Sequence, residues 1–273
     1  MKLKPLVFAL AVGLVASSGA HASAIVSGFN DFTLPRNDDG STGLVSIGFE
    51  VNFFGLNFTQ LYVNNNGNVT FDAALATYTP FGLTATNRQI IAPFFADVDT
   101  RSAGNPVTYG LGVYEGYNAF GVNWVDVDYY SSNSSHTNRN SFQLILVDRS
   151  DVAAGDFDII FNYDQIQWET GTASGGNSSG LGGNSARAGY SNGTGTPGTF
   201  HEMEGSAVNG AFLDGGPNAL ISGSLNSGVD GRYIFQARSG SINPNPNPVP
   251  EPATLALLGI GLAGLGALRR RRS

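Results

Sequence analysis

The chain has 273 residues with a formal net charge of −7; 37 residues are Gly, 13% are charged and none is Cys. The lack of Cys excludes disulfide bonds, thiolate metal sites, iron–sulfur clusters and a cysteine nucleophile. Abundant Gly, together with many Asn, Ser and Thr residues, favours short strands and turns over helices.

Residues 1–22 have the pattern of a secretory signal peptide. Lys2 and Lys4 supply the positive start, and residues 6–15 form the apolar stretch. The small residues of the cleavage site and the residue after it are Ala20, Ala22 and Ser23. A buried first helix is the alternative, but the flanks do not suit one, and the apolar run is too short to span a membrane.

The body of the chain contains short runs of alternating or continuous apolar residues separated by Gly, Asn, Pro or Asp. These runs are 47–54, 56–63, 68–71, 90–95, 106–114, 119–130, 141–148, 157–163 and 232–237. They predict an all-β domain over residues 23–240, built as a sandwich of two mainly antiparallel sheets with about ten strands. No stretch of the body sustains a helical pattern over three turns.

Local signals refine this prediction. The sequence Asn-Asn-Asn-Gly at 64–67 between apolar runs predicts a hairpin turn. Pro93 indicates an edge strand or a bulge. Residues 141–148 are apolar on both parities, which predicts a central strand. Residues 171–199 are rich in Gly, Ser, Thr and Asn and are expected to be mostly a mobile loop, with 186–190 as a candidate short strand.

The residues around Trp124 predict an irregular strand. Trp124 continues the parity of Phe120 and Val122, so we expect it in the core. Asp126 and Asp128 would then face the same core, which is costly for unpaired carboxylates. The strand is therefore expected to bulge or to leave the sheet near residue 125.

Six blocks in the body resemble, in order, the NIDO domain, an extracellular module named from nidogen. The blocks are 53–55, 61–71, 91–100, 122–127, 140–146 and 161–168, within a core resemblance at 47–192. The resemblance implies a role in cell–matrix adhesion, with an extracellular polysaccharide or a matrix protein as the partner. It implies no direct ligand.

The C-terminal residues form a second recognisable unit. A Pro/Asn linker at 241–249 precedes a tail at 250–273, in which an apolar run occupies 254–268. The remaining motif residues are Pro250, Glu251, Pro252, Arg269, Arg270, Arg271 and Arg272. As a helix, the apolar run would be roughly 22 Å long, shorter than a ~30 Å hydrocarbon core.

This tail resembles the PEP-CTERM sorting signal of Gram-negative bacteria. The resemblance implies transient membrane insertion of the tail and processing by an exosortase, with the protein exported to the cell surface or extracellular matrix. A permanent single-span anchor is the alternative. In both cases the body lies outside the cytoplasm, because terminal arginines stay on the cytoplasmic side.

The charge of the body bears on its partners. Between the two terminal signals there are eight Arg, no Lys and twenty Asp and Glu residues, a net charge of −12. This excess disfavours nucleic acid and anionic lipid surfaces and suits cations.

Two carboxylates are candidate calcium ligands. Asp97 and Asp99 are two residues apart and share a face if they lie on a strand. They precede the loop Gly104-Asn105-Pro106, whose carbonyl groups could add oxygen ligands. In the alternative interpretation, both are ordinary turn carboxylates paired with Arg88 or Arg101.

Signals for catalysis are weak. Residues 176–180 fit the pattern G-x-S-x-G but lack the flanking strand and helix that a nucleophile elbow needs. Paired carboxylates for glycoside hydrolysis could come from Asp126, Asp128, Glu169 or Glu202, yet no spacing selects two of them.

Aromatic side chains provide the signal for sugar binding. Trp168, Tyr129 and Tyr130 could stack on sugar rings if they are exposed, or pack in the core. The sequence favours a non-enzymatic exported surface or matrix protein. An extracellular carbohydrate-active enzyme or sugar-binding module is the alternative.

Overall fold

The computed structural model describes residues 23–131 and 135–243. Two short 3-10 helices, Leu83–Ala85 and Thr172–Ser174, are the helices of these two ranges. The strands are β1 (Phe32–Thr33), β2 (Val45–Phe53), β3 (Leu56–Asn64), β4 (Asn68–Thr70), β5 (Gln89–Phe95), β6 (Val98–Gly104), β7 (Thr108–Tyr114), β8 (Tyr117–Tyr129), β9 (Asn140–Asp148), β10 (Phe157–Ile166), β11 (Arg187–Asn192), β12 (Phe200–Glu202), β13 (Arg232–Arg238) and β14 (Ser241–Ile242).

The strands form two antiparallel sheets. The eight-stranded sheet has the order β1-β7-β8-β9-β10-β13-β14, with β6 also paired to β8, and the six-stranded sheet has the order β12-β11-β5-β4-β3-β2. Aromatic side chains join the sheets face to face, such as Phe94 and Phe142, whose ring centroids are 5.2 Å apart. The predicted β-sandwich is confirmed, and ten of the fourteen described strands have six or more residues.

Strand β9 is central, as its apolar residues on both parities predict. It pairs with β8 on one side and with β10 on the other. Phe142, Leu144 and Leu146 belong to the main core between the sheets. Ile145 and Val147 belong to a second apolar cluster, which also contains Phe29 from the N-terminal segment. This segment covers the outer face of the sheet, so both faces of β9 are buried.

A row of polar side chains crosses the same outer face. Residues Asn123, Gln143, Asn162 and Arg232 are direct neighbours on β8, β9, β10 and β13. Gln143 Nε2 donates to Asn123 Oδ1 at 2.7 Å and Asn162 Nδ2 donates to Gln143 Oε1 at 2.8 Å. Arg232 Nε donates to Asn162 Oδ1 at 2.8 Å. We call these four residues the amide ladder.

The hairpin predicted at 64–67 is present between β3 and β4. Gly67 has φ of 70°, and a Cβ at this position would lie 1.7 Å from the carbonyl oxygen of Phe94. Both the turn and the close approach of the backbone therefore require Gly. The next strand, β5, is irregular at Pro93, since the register with β11 shifts between Ala92 and Phe95. This bulge is the one that Pro93 indicated.

The irregular strand expected near residue 125 is also present. Trp124 is buried, and its ring stacks on Phe142 at 5.3 Å. The register of β8 with β9 shifts between Trp124 and Val127, and Asp126 has φ of 58°. The bulge turns the Asp126 side chain out to solvent, which spares the core an unpaired carboxylate.

Both terminal signals lie outside the described residues. This applies to the signal peptide with Ala20 and Ala22, and to the tail from Pro250 to Arg272. Ser23 is described and exposed, whereas the next residue, Ala24, is already buried. Within residues 23–131 and 135–243, no helix has the length and hydropathy needed to cross a membrane.

Candidate functional site

An acidic pocket opens where the chain crosses from one sheet to the other. Asp97 lies in the turn between β5 of the six-stranded sheet and β6 of the eight-stranded sheet. Asp38 and Asp39 come from the loop between β1 and β2. The cavity measures about 150 Å³, and its lining residues are Asp38, Asp39, Tyr78, Asp97, Tyr130 and Ala173. We call it the acidic pocket.

The three carboxylates converge on one point. One oxygen atom each from Asp38, Asp39 and Asp97 lies within 4.8 Å of the others. Asp97 is 1% exposed, whereas Asp38 and Asp39 are partly exposed. The pocket therefore has a buried carboxylate at its base and two more accessible ones at its mouth.

The hairpin turn at 64–67 holds the acidic residues in place. Asn65 Nδ2 donates to the carbonyl oxygens of Asp38 and Val98 at 2.5 and 2.6 Å. Asn66 Nδ2 donates to Asp39 Oδ1 at 2.9 Å, and Asn66 Oδ1 accepts from the Val98 amide at 3.0 Å. Two buried amide side chains thus connect the β1–β2 loop to the start of β6.

Burial and mutual repulsion alter the protonation of these groups. Burial, reinforced by the negative charges of Asp38 and Asp39, raises the pKa of Asp97 to about 8. Burial and the charge of Asp99 raise the pKa of Asp38 to about 6. Ionising all three carboxylates together is unfavourable unless a positive charge enters the pocket.

Arg101 compensates for part of this charge. Its guanidinium lies 3.0 Å from Asp38 Oδ2 and 2.8 Å from Asp99 Oδ2, and 5.7 Å from the centre of the Tyr130 ring. However, Asp97 Oδ2 and Asp38 Oδ1 are buried and have no hydrogen-bond partner among the described residues. Two carboxylate oxygens of the pocket are therefore left without compensation.

Gly171 closes the pocket from the side of the long loop. A Cβ built at this position would lie 2.2 Å from Asp97 Oδ2, although the backbone φ of −91° suits any residue. The loop can approach the carboxylate only because residue 171 has no side chain. Residues 171–199 were expected to be mostly a mobile loop with a short strand at 186–190, and β11 confirms that strand.

The two predicted calcium ligands have different surroundings. Asp97 is the base of the acidic pocket, whereas Asp99 makes a two-pronged ion pair with Arg101. The carbonyl oxygen of Gly104 accepts a hydrogen bond from Arg36 at 2.8 Å. Asp97 is thus joined by Asp38 and Asp39, in place of Asp99 and the 104–106 loop.

Asp38 and Asp39 were not predicted from the sequence as site residues. The signal was the sequence Asn-Asp-Asp-Gly at 37–40, an acidic turn in which the Gly40 amide donates to Asn37 Oδ1. Its closeness to Asp97 arises from the tertiary structure, since the two segments are some sixty residues apart.

Two of the three residues considered for sugar stacking lie in the core. The interpretation in which Trp168 and Tyr129 are exposed is therefore wrong. Trp168 is 0% exposed, and Tyr129 is 1% exposed. Trp168 Nε1 donates to the Val127 carbonyl at 3.2 Å, and Tyr129 stacks on His136 at 4.0 Å. Tyr130 is partly exposed and lines the acidic pocket.

Three of the four candidate catalytic carboxylates have local structural partners. Asp128 lies 2.9 Å from His136 Nδ1, and Glu202 pairs with Arg187. Glu169 is buried and accepts the amides of residues 210 and 212. Asp126 is exposed on its bulge. Each of the three partnered carboxylates thus belongs to a separate local network.

Comparisons with known proteins agree on two units. A family model described as a nidogen-like domain matches residues 59–239, and one described as a PEP-CTERM protein-sorting motif matches residues 248–272. Alpha-tectorin of Mus musculus is 34% identical over 239 residues, which cover 79% of this chain and 10% of the relative.

Two further relatives show the same pattern. Alpha-tectorin of Gallus gallus is 32% identical over 251 residues, covering 82% of this chain and 11% of the relative. Nidogen of Drosophila melanogaster is 27% identical over 229 residues, covering 74% and 15%. The chain thus spans only a small part of the length of these relatives. No solved structure matches it significantly.

Proposed function

Since this chain belongs to the nidogen-like domain family, we propose that it is a non-enzymatic surface protein whose β-domain mediates adhesion to an extracellular polysaccharide or matrix protein. The observation that carries the proposal is the order of the two matched units, a nidogen-like domain followed directly by a sorting motif. The sorting motif marks the chain as exported and surface-associated. The family domain is then the part available to contact material outside the cell.

The charge of the body supports an extracellular partner that is not anionic. A body with twenty acidic residues against eight Arg repels polyanions and remains soluble after export. A neutral polysaccharide or a protein surface suits this charge.

Adhesion is tested with the exported protein itself. The protein recovered from the producing cells is labelled and incubated with their extracted polysaccharide and with their matrix proteins, and heat-unfolded protein is the control. Saturable binding by the folded form alone supports the proposal. Failure to bind either material contradicts it.

The sorting part of the proposal has its own test. We infer that an exosortase processes the tail after transient membrane insertion, in a bacterium of Gram-negative type. The exported product should then lack Arg269 to Arg272, and intact-mass analysis measures this directly. A product that retains these residues would favour a permanent anchor.

A sugar-binding function is the second candidate, and a pocket on another part of the surface favours it. This cavity of about 410 Å³ contains His201, Met203, Leu220, Tyr233 and Phe235 in its lining. The rings of His201 and Tyr233 are partly exposed, and such rings suit the face of a sugar.

A glycan array tests for sugar binding, and a polysaccharide hydrolysis screen distinguishes the adhesion and sugar-binding functions from an enzymatic one. Sugar binding at this pocket predicts array signals that His201→Ala removes and that Glu50→Gln, an exposed change on β2, preserves. Turnover that a single carboxylate substitution abolishes would establish an enzyme instead.

A further inference from the structure

We propose that the acidic pocket is a calcium site in which Asp38, Asp39 and Asp97 supply the carboxylate ligands. This inference is independent of the adhesion function, because it concerns a cation within the domain and requires no partner outside it.

The convergence of three carboxylates is the first observation. Like charges repel, and Asp38, Asp39 and Asp97 nevertheless each present an oxygen atom within 4.8 Å of the others. The surrounding structure enforces this arrangement, since the amide side chains of Asn65 and Asn66 bond the segment with Asp38 and Asp39 and also Val98, the residue after Asp97. A cation would turn the repulsion into coordination.

The second observation is an unpaired buried oxygen atom of Asp97, and it does not depend on the number of carboxylates in the pocket. Asp97 is 99% buried and lines the pocket, and its Oδ2 atom has no hydrogen-bond partner among the described residues. A buried carboxylate oxygen without a partner is costly. Asp38 Oδ1 is likewise buried and has no hydrogen-bond partner among the described residues. Arg101 contacts the other oxygen of that carboxylate, Oδ2.

Arg101 does not provide the missing charge. Its guanidinium is bonded in two-pronged fashion to Asp99 and also contacts Asp38, so a single positive charge faces four carboxylates. The burial that raises the pKa of Asp97 to about 8 agrees with this deficit. The neutralising partner of Asp97 is therefore either a bound cation or a proton.

The donor set selects the class of cation. The clustered ligand atoms are all carboxylate oxygens, which suit hard cations and not thiophilic or imidazole-seeking metals. The ligands come from two loops, and calcium tolerates such irregular oxygen arrangements better than magnesium, which demands a near-ideal octahedron. A pocket of about 150 Å³ leaves room for water to complete the shell.

Terbium luminescence tests the site directly. Tb³⁺ replaces Ca²⁺, and excitation of Tyr78 and Tyr130, which line the pocket, should sensitise its emission. The full exported chain is stripped with a chelator and titrated with Tb³⁺, which Ca²⁺ then displaces. We expect one site per chain, a calcium Kd of about 10⁻⁵ to 10⁻³ M as in weaker calcium modules, and much poorer displacement by Mg²⁺.

Matched variants locate the cation. Asp97→Asn keeps the shape of the side chain and should weaken Tb³⁺ and Ca²⁺ binding at least tenfold, and the double variant Asp38→Asn/Asp39→Asn should abolish it. Glu50→Gln removes one exposed charge from β2 and should leave binding unchanged. Far-ultraviolet circular dichroism confirms that each variant is folded.

Thermal melting gives a second readout. At a hundredfold excess over the wild-type Kd, calcium should raise the melting temperature of the wild type by roughly 5–10 °C, and this rise should fall by about half or more in Asp97→Asn. Sodium chloride at matched ionic strength is the control for general screening. The proposal is overturned if Tb³⁺ shows no tyrosine-sensitised binding, or if Asp97→Asn and Glu50→Gln bind and melt alike. In that case a proton neutralises Asp97.

Discussion

The amide ladder and the acidic pocket are both buried polar regions, yet they are built in opposite ways. In the amide ladder, three neutral amide side chains and the Arg232 guanidinium form a continuous chain of hydrogen bonds, and Gln143 also bonds both the backbone amide and the carbonyl of Val26. In the acidic pocket, carboxylates face one another, and two of their oxygens have no hydrogen-bond partner in the part of the chain that the structure describes. A satisfied network fixes structure, whereas a buried polar atom without a partner requires an explanation, such as the bound cation proposed above.

The two regions also differ in what they hold. The amide ladder attaches the N-terminal segment to the large sheet, since Arg232 Nη2 donates to the Ala24 carbonyl and Asn123 Nδ2 to the Phe29 carbonyl. The acidic pocket connects loops at a crossing between sheets. We therefore expect changes in the ladder to reduce stability, and changes in the pocket to alter the response to cations.

The largest effect is expected in the centre of the amide ladder. Gln143→Leu keeps the approximate volume but leaves buried atoms of Asn123 and Asn162, and the partly buried backbone of Val26, without their partners. The free energy of unfolding should fall by about 3–4 kcal/mol. Urea unfolding measures the loss. Gln60→Leu, at an exposed position of β3, should stay within about 0.5 kcal/mol. A loss below about 1 kcal/mol for Gln143→Leu would show that the ladder is not structural.

The next effect concerns the wall of the acidic pocket. Gly171→Ala places a methyl group against the Asp97 carboxylate and should cost about 1–3 kcal/mol of stability through overpacking. Gly43→Ala is the matched control, because a Cβ there has nothing within 4 Å. Chemical denaturation of both variants checks the prediction. Equal stabilities would mean that the loop at 171 moves away freely.

A smaller effect of opposite sign is expected at the base of the pocket. In the presence of a chelator, Asp97→Asn removes a carboxyl group whose ionisation burial opposes, as its pKa of about 8 shows, and should raise the free energy of unfolding by about 1–2 kcal/mol. Calcium at a hundredfold excess over the wild-type Kd should offset this advantage, since the cation stabilises the wild type more than the variant. Denaturation with and without calcium decides the matter. A destabilised Asp97→Asn in chelator would instead assign the carboxylate a structural hydrogen bond.

The smallest effect is the pH dependence of stability that comes from the burial of His201. His201 lies against the rings of Tyr190 and Phe235, and burial lowers its pKa below the ordinary value. Below about pH 6.5 the unfolded chain takes up a proton that the folded chain resists, so stability should fall as the pH falls. The difference between wild type and His201→Gln, followed by melting from pH 7.5 to 5, isolates this contribution. A difference that does not change with pH would refute it.

Much of the fold could be predicted because its signals are local. Alternating apolar residues specified the strands, the Asn-Gly turn at 64–67 specified a hairpin, and the parity conflict after Trp124 specified a bulge. Each of these rests on the two-residue period of a strand or on the φ preference of one residue. The terminal motifs are equally local, and one of them was matched by a family model.

The site could be predicted only in part. Asp97 and Asp99 were chosen together because residues two apart share a face of a strand, but the structure pairs Asp99 with Arg101. Asp38 and Asp39 were missed, whereas packing of Trp168 and Tyr129 in the core, one of the two interpretations that the sequence left open, is what the structure shows. Local sequence patterns do not predict that the distant β1–β2 loop packs against the turn that contains Asp97.

By itself, the sequence determined that this protein is exported, that its body is an acidic all-β domain, and that both faces of β9 are buried. Those properties follow from composition, periodicity and short motifs, which act over a few residues. Only the tertiary structure decided that Asp97 meets Asp38 and Asp39 while Asp99 meets Arg101. The reason is that the crossing between sheets and the amide groups of Asn65 and Asn66 bring together loops some sixty residues apart, and burial there gives one carboxylate an environment that no local pattern encodes.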